Sequence, residues 1–155
     1  MFFGKKKEKA EAEVKKELLY KENIKVGCSA DTKENVIRQV GQMLVNSGYV
    51  DQPYVDAMLE REKSFSTYMG NALALPHGVE AAKKEIKASG IAVMVFPKGT
   101  QWDDETVKIV IGIAGVGEEH LQILGVIADR MLSPEAVEEI VNGDEDTVYQ
   151  MLSNK

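Results

Sequence analysis

Apolar residues along this chain recur with two different spacings. Val36, Ile37, Val40, Met43, Leu44 and Val45 fall on one helical face, and the stripe stops at Ser47 and Gly48. Asp31 and Glu34 have capping-box spacing ahead of it, so a helix is expected to begin after Asp31. A second helix is expected after Asp51, with Pro53 near its start, Val55, Met58 and Leu59 facing inward, and an end near residues 61–63. In the middle of the chain the helical period disappears. Residues 90–96 and 107–114 are nearly unbroken apolar runs bounded by turn residues, as expected of central strands covered on both faces. A short buried strand over 71–75 is expected to deliver His77, between Pro76 and Gly78, to a loop. Helical periodicity returns over about 118–131. A further helix has Ser133 as its N-cap, Pro134 in the first helical position and Glu135 in the first turn, and a last one spans about 144–152 after Asn142 and Gly143. Helices, then strands, then helices predict an α/β fold with a mixed central β-sheet flanked by helices. Segments 24–27 and 71–75 leave room for antiparallel pairing in that sheet.

A length of 155 residues fits one domain. Residues 1–17 are expected to form a charged leader ahead of a domain over 18–155, and the charged reading extends to about residue 23. The first sixteen positions hold six lysines and three glutamates, the composition of a solvated, partly frayed helix, with a contact to an anionic membrane or a partner and a packed terminal helix as the alternatives. The net charge of -6 gives no footprint for nucleic acid. One cysteine, Cys28, excludes an internal disulfide and fits a reducing compartment. No apolar run is long enough to span a bilayer and the start lacks the apolar stretch of a secretory signal, so the cytoplasm is the expected location, without direct membrane insertion.

Only two histidines are present, and both fall at element boundaries. His77 is either a surface histidine in a turn or an imidazole displayed rigidly, one ring nitrogen fixed by a hydrogen bond and the other left as a nucleophile. His120 lies in the first turn of its helix, close to the stripe of Ile123, Leu124, Ile127 and Met131. It is either a structural histidine or one that the positive helix end keeps neutral beside an anion. Together the two would make half of a metal site or a cradle for a phosphoryl group. Metal is the weaker option, since only Glu118 or Glu119 offers a third ligand at suitable spacing and there is no His-Glu-x-x-His. No P-loop, no G-x-G-x-x-G and no nucleophile-elbow serine is present. Gly112, Gly115 and Gly117 are expected to permit close packing and a tight strand-to-helix turn, and Cys28 to be a small buried or half-buried residue.

The stretch from Met58 to Gly78, M-L-E-R-E-K-S-F-S-T-Y-M-G-N-A-L-A-L-P-H-G, closely resembles the signature of the type-2 EIIA domains of the bacterial phosphoenolpyruvate-dependent sugar phosphotransferase system. The resemblance covers about residues 18–153, and V-K-I-V-I-G-I-A-G-V-G-E-E-H-L-Q-I from Val107 to Ile123 is similar to the mannitol branch. It implies the fold of that group and a phosphoryl carrier without metal or organic cofactor. By resemblance His77 is the phosphorylated histidine, His120 the second active-site histidine, Arg61 the arginine that balances the phosphoryl charge, and Asn71 the asparagine of the family's G-N pair. The implied partners are the phosphocarrier HPr as donor and an EIIB domain as acceptor, with a mannitol EIICB the expected one. The implied activity is carriage of a phosphoryl group for mannitol or a related sugar by a freestanding EIIA. The alternative is a regulatory phosphoprotein like the nitrogen-related branch. Met69, Leu73 and Leu75 each read singly as core residues, with an apolar rim excluding water around the histidine as the alternative.

Overall fold

The computed structural model describes residues 17–78, 84–131 and 133–153, so residues 1–16 of the expected leader lie outside the described residues. Five strands, β1 (Ile24–Lys25), β2 (Tyr68–Gly70), β3 (Leu73–Ala74), β4 (Gly90–Trp102) and β5 (Glu105–Ala114), form one sheet in the order β1-β4-β5-β3-β2. Among the described residues five α-helices accompany them: α1 (Lys33–Asn46), α2 (Pro53–Ser64), α3 (Glu119–Arg130), α4 (Pro134–Val141) and α5 (Glu145–Leu152). The sheet is mixed: β4 and β5 form an antiparallel hairpin, β1 runs parallel to β4, β3 runs parallel to β5, and β2 pairs antiparallel with β3.

Alternation of side chains across the two long strands explains their unbroken apolar runs. Ile91, Val93 and Val95, with Ile109, Ile111 and Ile113, join a core with Ile123, Ile127, Ile140, Val148 and Leu152 of α3, α4 and α5. Ala92, Met94 and Phe96, with Val110 and Ala114, pack on the other face against Val36, Ile37, Val40 and Met58 of α1 and α2. At Gly112 a built Cβ would come within 3.0 Å of Val40, so the missing side chain lets α1 lie close to the sheet. β4 runs beyond the expected residue 96 to Trp102 because the hairpin continues past a register shift between Val95 and Thr100. Gly99, in that irregularity, has a left-handed φ of 85°.

Two sequence expectations are corrected at the N-terminal side. The α1 cap is Thr32 and not Asp31: the Thr32 hydroxyl accepts from Asn35 N at 3.1 Å. Asp31 is held on β4, its N–H donating to Thr100 Oγ1 at 3.0 Å and its carbonyl accepting from the same hydroxyl at 2.7 Å, so the helix starts one residue later. Residues 18–23 are anchored on the domain through Leu19 and Asn23, both buried, while Lys21 and Glu22 stay exposed, so the solvated leader does not extend to residue 23. Leu19 is fully buried, Ile91 N donates to Leu18 O, and the Tyr49 hydroxyl donates to Glu17 O. Ser133 does cap α4, accepting from Ala136 N at 3.2 Å, and Asp144 caps α5 through Thr147 N. No helix among the described residues is long and apolar enough to cross a membrane.

Candidate active site

Because β3 and β5 run parallel, the chain leaves both at the same edge of the sheet. His77 follows β3 by three residues and pairs with Ile113 near the end of β5; His120 is the second residue of α3, which begins after the turn that follows β5. Their ring centroids are 4.9 Å apart with the planes tilted by 59°. This is the usual location of sites on sheets with parallel strands, outside their carboxyl ends.

His77 is half-buried, and its Nδ1 lies 2.8 Å from the backbone carbonyl of Leu75. A carbonyl oxygen only accepts, so Nδ1 carries the proton and Nε2 holds the free lone pair. Burial pushes the imidazole pKa below its ordinary 6.5, and the positive charge of Arg61 adds to that; the Leu75 hydrogen bond and the Glu62 carboxylate pull the other way. The neutral imidazole is therefore the favoured state near pH 7. On either side, Leu75 N donates to Thr67 O and Ile113 N to Pro76 O, both at 3.0 Å.

His120 owes its position to the turn before α3. A Cβ built on Gly115 would lie 2.3 Å from His120 Cα, so only glycine admits this approach, and Gly117 has a left-handed φ of 57°. Ser89 fastens the turn from the neighbouring strand end: its hydroxyl accepts from Val116 N at 2.9 Å and donates to the Glu119 carboxylate. The half-buried His120 thus sits at the positive end of the α3 dipole, where negative charge is favoured.

Arg61 lies in the last turn of α2, and its charge acts on His77. Its Nη1 donates to Phe65 O at 2.9 Å, and its guanidinium carbon lies 5.6 Å from the centre of the exposed Phe65 ring. The next residue, Glu62, is one that sequence reasoning missed. It is only 5% exposed, and its carboxylate accepts from Thr67 N (2.8 Å), Thr67 Oγ1 (2.7 Å) and Trp102 Nε1 (3.0 Å). The signal was its spacing: Val55, Met58 and Glu62 share one helical face, which puts an acid in line with the core.

Of the three residues weighed for an apolar rim, two do not line the site. Leu73 and Leu75, 3% and 1% exposed, belong to the core and form no rim, because their segment is covered on both faces; Met69 alone of the three is exposed, at 53%. Asn71 occupies the turn between β2 and β3, with φ 51° followed by φ 60° at Ala72, and its Nδ2 lies 3.4 Å from Met131 O. Met131 is eleven residues beyond His120, about 16 Å along the helix, so Asn71 shapes the hairpin far from the histidine pair. Cys28 is half-buried with its thiol pKa raised by burial. Among the described residues no three His, Cys, Asp or Glu side chains are grouped to hold a metal ion.

Residues 17–155 match the family described as the phosphoenolpyruvate-dependent sugar phosphotransferase system, EIIA 2. Over 133 residues, 80% of this chain and 92% of the relative, the sequence is 47% identical to the mannitol-specific phosphotransferase enzyme IIA component of Halalkalibacterium halodurans. Its counterpart in Bacillus subtilis is 42% identical over 135 residues, 85% of this chain and 94% of the relative. The solved complex of enzyme IIAMTL and phosphorylated enzyme IIBMTL from Escherichia coli matches with a TM-score of 0.81 at 36% identity, over 86% of this chain and 96% of that one. The chain belongs to the EIIA type-2 family of the sugar phosphotransferase system.

Proposed function

We propose that this EIIA type-2 chain carries a phosphoryl group on His77 Nε2, taking it from phosphohistidine on HPr and giving it to a cysteine of a mannitol-type EIIB. The observation that carries the reading is the Nδ1–H bond to Leu75 O, which leaves Nε2 as the nucleophile 4.9 Å, ring to ring, from a second histidine at a helix N-terminus. In the first transfer the Nε2–P bond forms as the donor's N–P bond breaks, and Nε2 has no proton to lose. In the second, a cysteine thiolate attacks phosphorus, the S–P bond forms and the Nε2–P bond breaks, restoring neutral His77. Such transfers ask for placement and charge compensation more than for covalent apparatus. Arg61, whose charge already acts on His77, supplies the balancing cation, while His120 and the α3 dipole favour the same anion. The relatives' names and the E. coli complex with its phosphorylated EIIB support a mannitol-type acceptor.

The test is intact-mass spectrometry at neutral or basic pH after incubation with phosphoenolpyruvate, enzyme I and HPr, alongside the His77→Ala variant. One added phosphoryl group is expected, absent from the variant and discharged on adding the mannitol EIIB. No addition while HPr itself is phosphorylated, or normal addition to His77→Ala, refutes the assignment.

A further inference from the structure

Between His77 and the strand that supports it stands a side chain to which neither the family signature nor the proposed chemistry assigns a role. Tyr54, in the first turn of α2, is 1% exposed, and its hydroxyl donates to Ile113 O at 2.9 Å and accepts from Gly78 N at 2.9 Å. His77 and Ile113 form a parallel bridge. A regular bridge of that kind is closed by two direct bonds, one on each side of the paired residue. The first is present, from Ile113 N to Pro76 O. The tyrosine hydroxyl bonds both groups of the second, accepting from Gly78 N–H and donating to Ile113 C=O. The ring fills the space beside Gly78 so closely that a Cβ built there would come within 2.5 Å of Tyr54 Cε1.

We infer that Tyr54 is a positioning residue for the phosphoryl acceptor: by bonding both groups of the second rung, its hydroxyl fixes the peptide after His77 and so the direction in which Nε2 points. This rests on His77 being the carrier, as proposed above. The loop is then held on both sides of the histidine, by Ile113 N directly and by Ile113 O through the phenol, which keeps Nδ1 against Leu75 O. Burial raises the Tyr54 pKa to about 12, so the phenol keeps the proton that it donates to Ile113 O. Tyr54 and Arg61 are seven residues apart, two helical turns, and lie on one face of α2. One rigid helix thereby sets both the nucleophile's aim and the position of its counter-charge.

Tyr54→Phe removes the hydroxyl and leaves the ring. Transfer from phospho-HPr should slow about 10- to 100-fold in kcat with KM for HPr unchanged. In ¹⁵N NMR of the unphosphorylated protein, His77 should change from a single Nδ1–H tautomer to a mixture. A core truncation remote from the site, Val148→Ala in α5, brought to the same loss of melting temperature by choice of conditions, should change neither. Wild-type kcat and a wild-type tautomer in folded Tyr54→Phe overturn the inference, and so does equal slowing in the Val148→Ala control. Should Tyr54→Phe fail to fold, Gly78→Ala, whose methyl group drives the ring away, is read by the same two measurements and the same criteria. The tautomer measurement needs no phosphoryl donor, so it judges Tyr54 even where wild type accepts no phosphoryl group, an outcome that refutes the carrier reading separately.

Discussion

Replacing Glu62 separates the role of its shape from that of its charge. The carboxylate takes two N–H donors on Oε2, from Thr67 and Trp102, and the Thr67 hydroxyl on Oε1. Glu62→Ala leaves Trp102 Nε1 and Thr67 N without an acceptor in a buried site, while the Thr67 hydroxyl can turn elsewhere. Two orphaned donors at about 1–3 kcal/mol each, with the lost packing, give an expected destabilisation of about 3–5 kcal/mol. Glu62→Gln is different, because its carbonyl can stand where Oε2 stands and its amide can donate to Thr67 Oγ1, which reverses from donor to acceptor. Only the strengthening due to charge is lost, about 1 kcal/mol. Urea unfolding followed by the fluorescence of Trp102, the only tryptophan, measures both from beside the substituted group. At about 2–4 °C per kcal/mol for a domain of this size, melting should fall by about 6–20 °C for Ala and by only a few degrees for Gln. A Gln variant as unstable as Ala, or an Ala variant within about 1 kcal/mol of wild type, refutes the reasoning.

Gly115→Ala forces a methyl group to within 2.3 Å of His120 Cα, where backbone cannot yield cheaply; about 1–3 kcal/mol of stability should be lost, together with phosphoryl transfer. Chemical denaturation and the mass assay check this, and unchanged stability with unchanged transfer contradicts it. The depressed His77 pKa sets the sign of a pH effect: between it and the ordinary 6.5 the unfolded chain binds more protons than the folded one. Stability should therefore fall as pH drops from 6.5 through that window, and His77→Asn should flatten this part of the stability curve; an unchanged slope refutes it. Arg61→Ala, which removes a depressing charge, should raise the His77 pKa in an NMR titration, and a lower value counts against the electrostatic role given to Arg61.

What could be read from the sequence was whatever one face or one neighbour determines. The stripe from Val36 to Leu44 and the runs at 90–96 and 107–114 declare their burial residue by residue, and both histidines stood out at element ends. β2 did not, because three residues, Tyr68–Gly70, are too few to show alternation. The polar end of β4 was missed since Thr100 to Trp102 are strand only by pairing with Glu105 to Val107. The parallel direction of β3 against β5, which brings the histidines together, is a property of the crossover between them and leaves no local mark. Tyr54 read as one more apolar helix position, and its hydroxyl acquires meaning only through Ile113, fifty-nine residues later.

The long strands are closed to strand addition by segments that are mostly not strands themselves. Along β4, Ile91 N is taken by Leu18 O, Val93 and Met94 pair with β1, Val95 O accepts from Cys28 N, and Thr100 holds Asp31. Along β5, Lys108 N and Ile109 N share Ala72 O, Ile109 and Val110 pair with β3, and Ile113 N is taken by Pro76 O. At these positions the outer rows of both apolar strands are already taken, which shortens the usual template for edge-to-edge aggregation. The same closure denies these edges to recognition by strand addition, so a protein that docks at them must read side chains and helix ends.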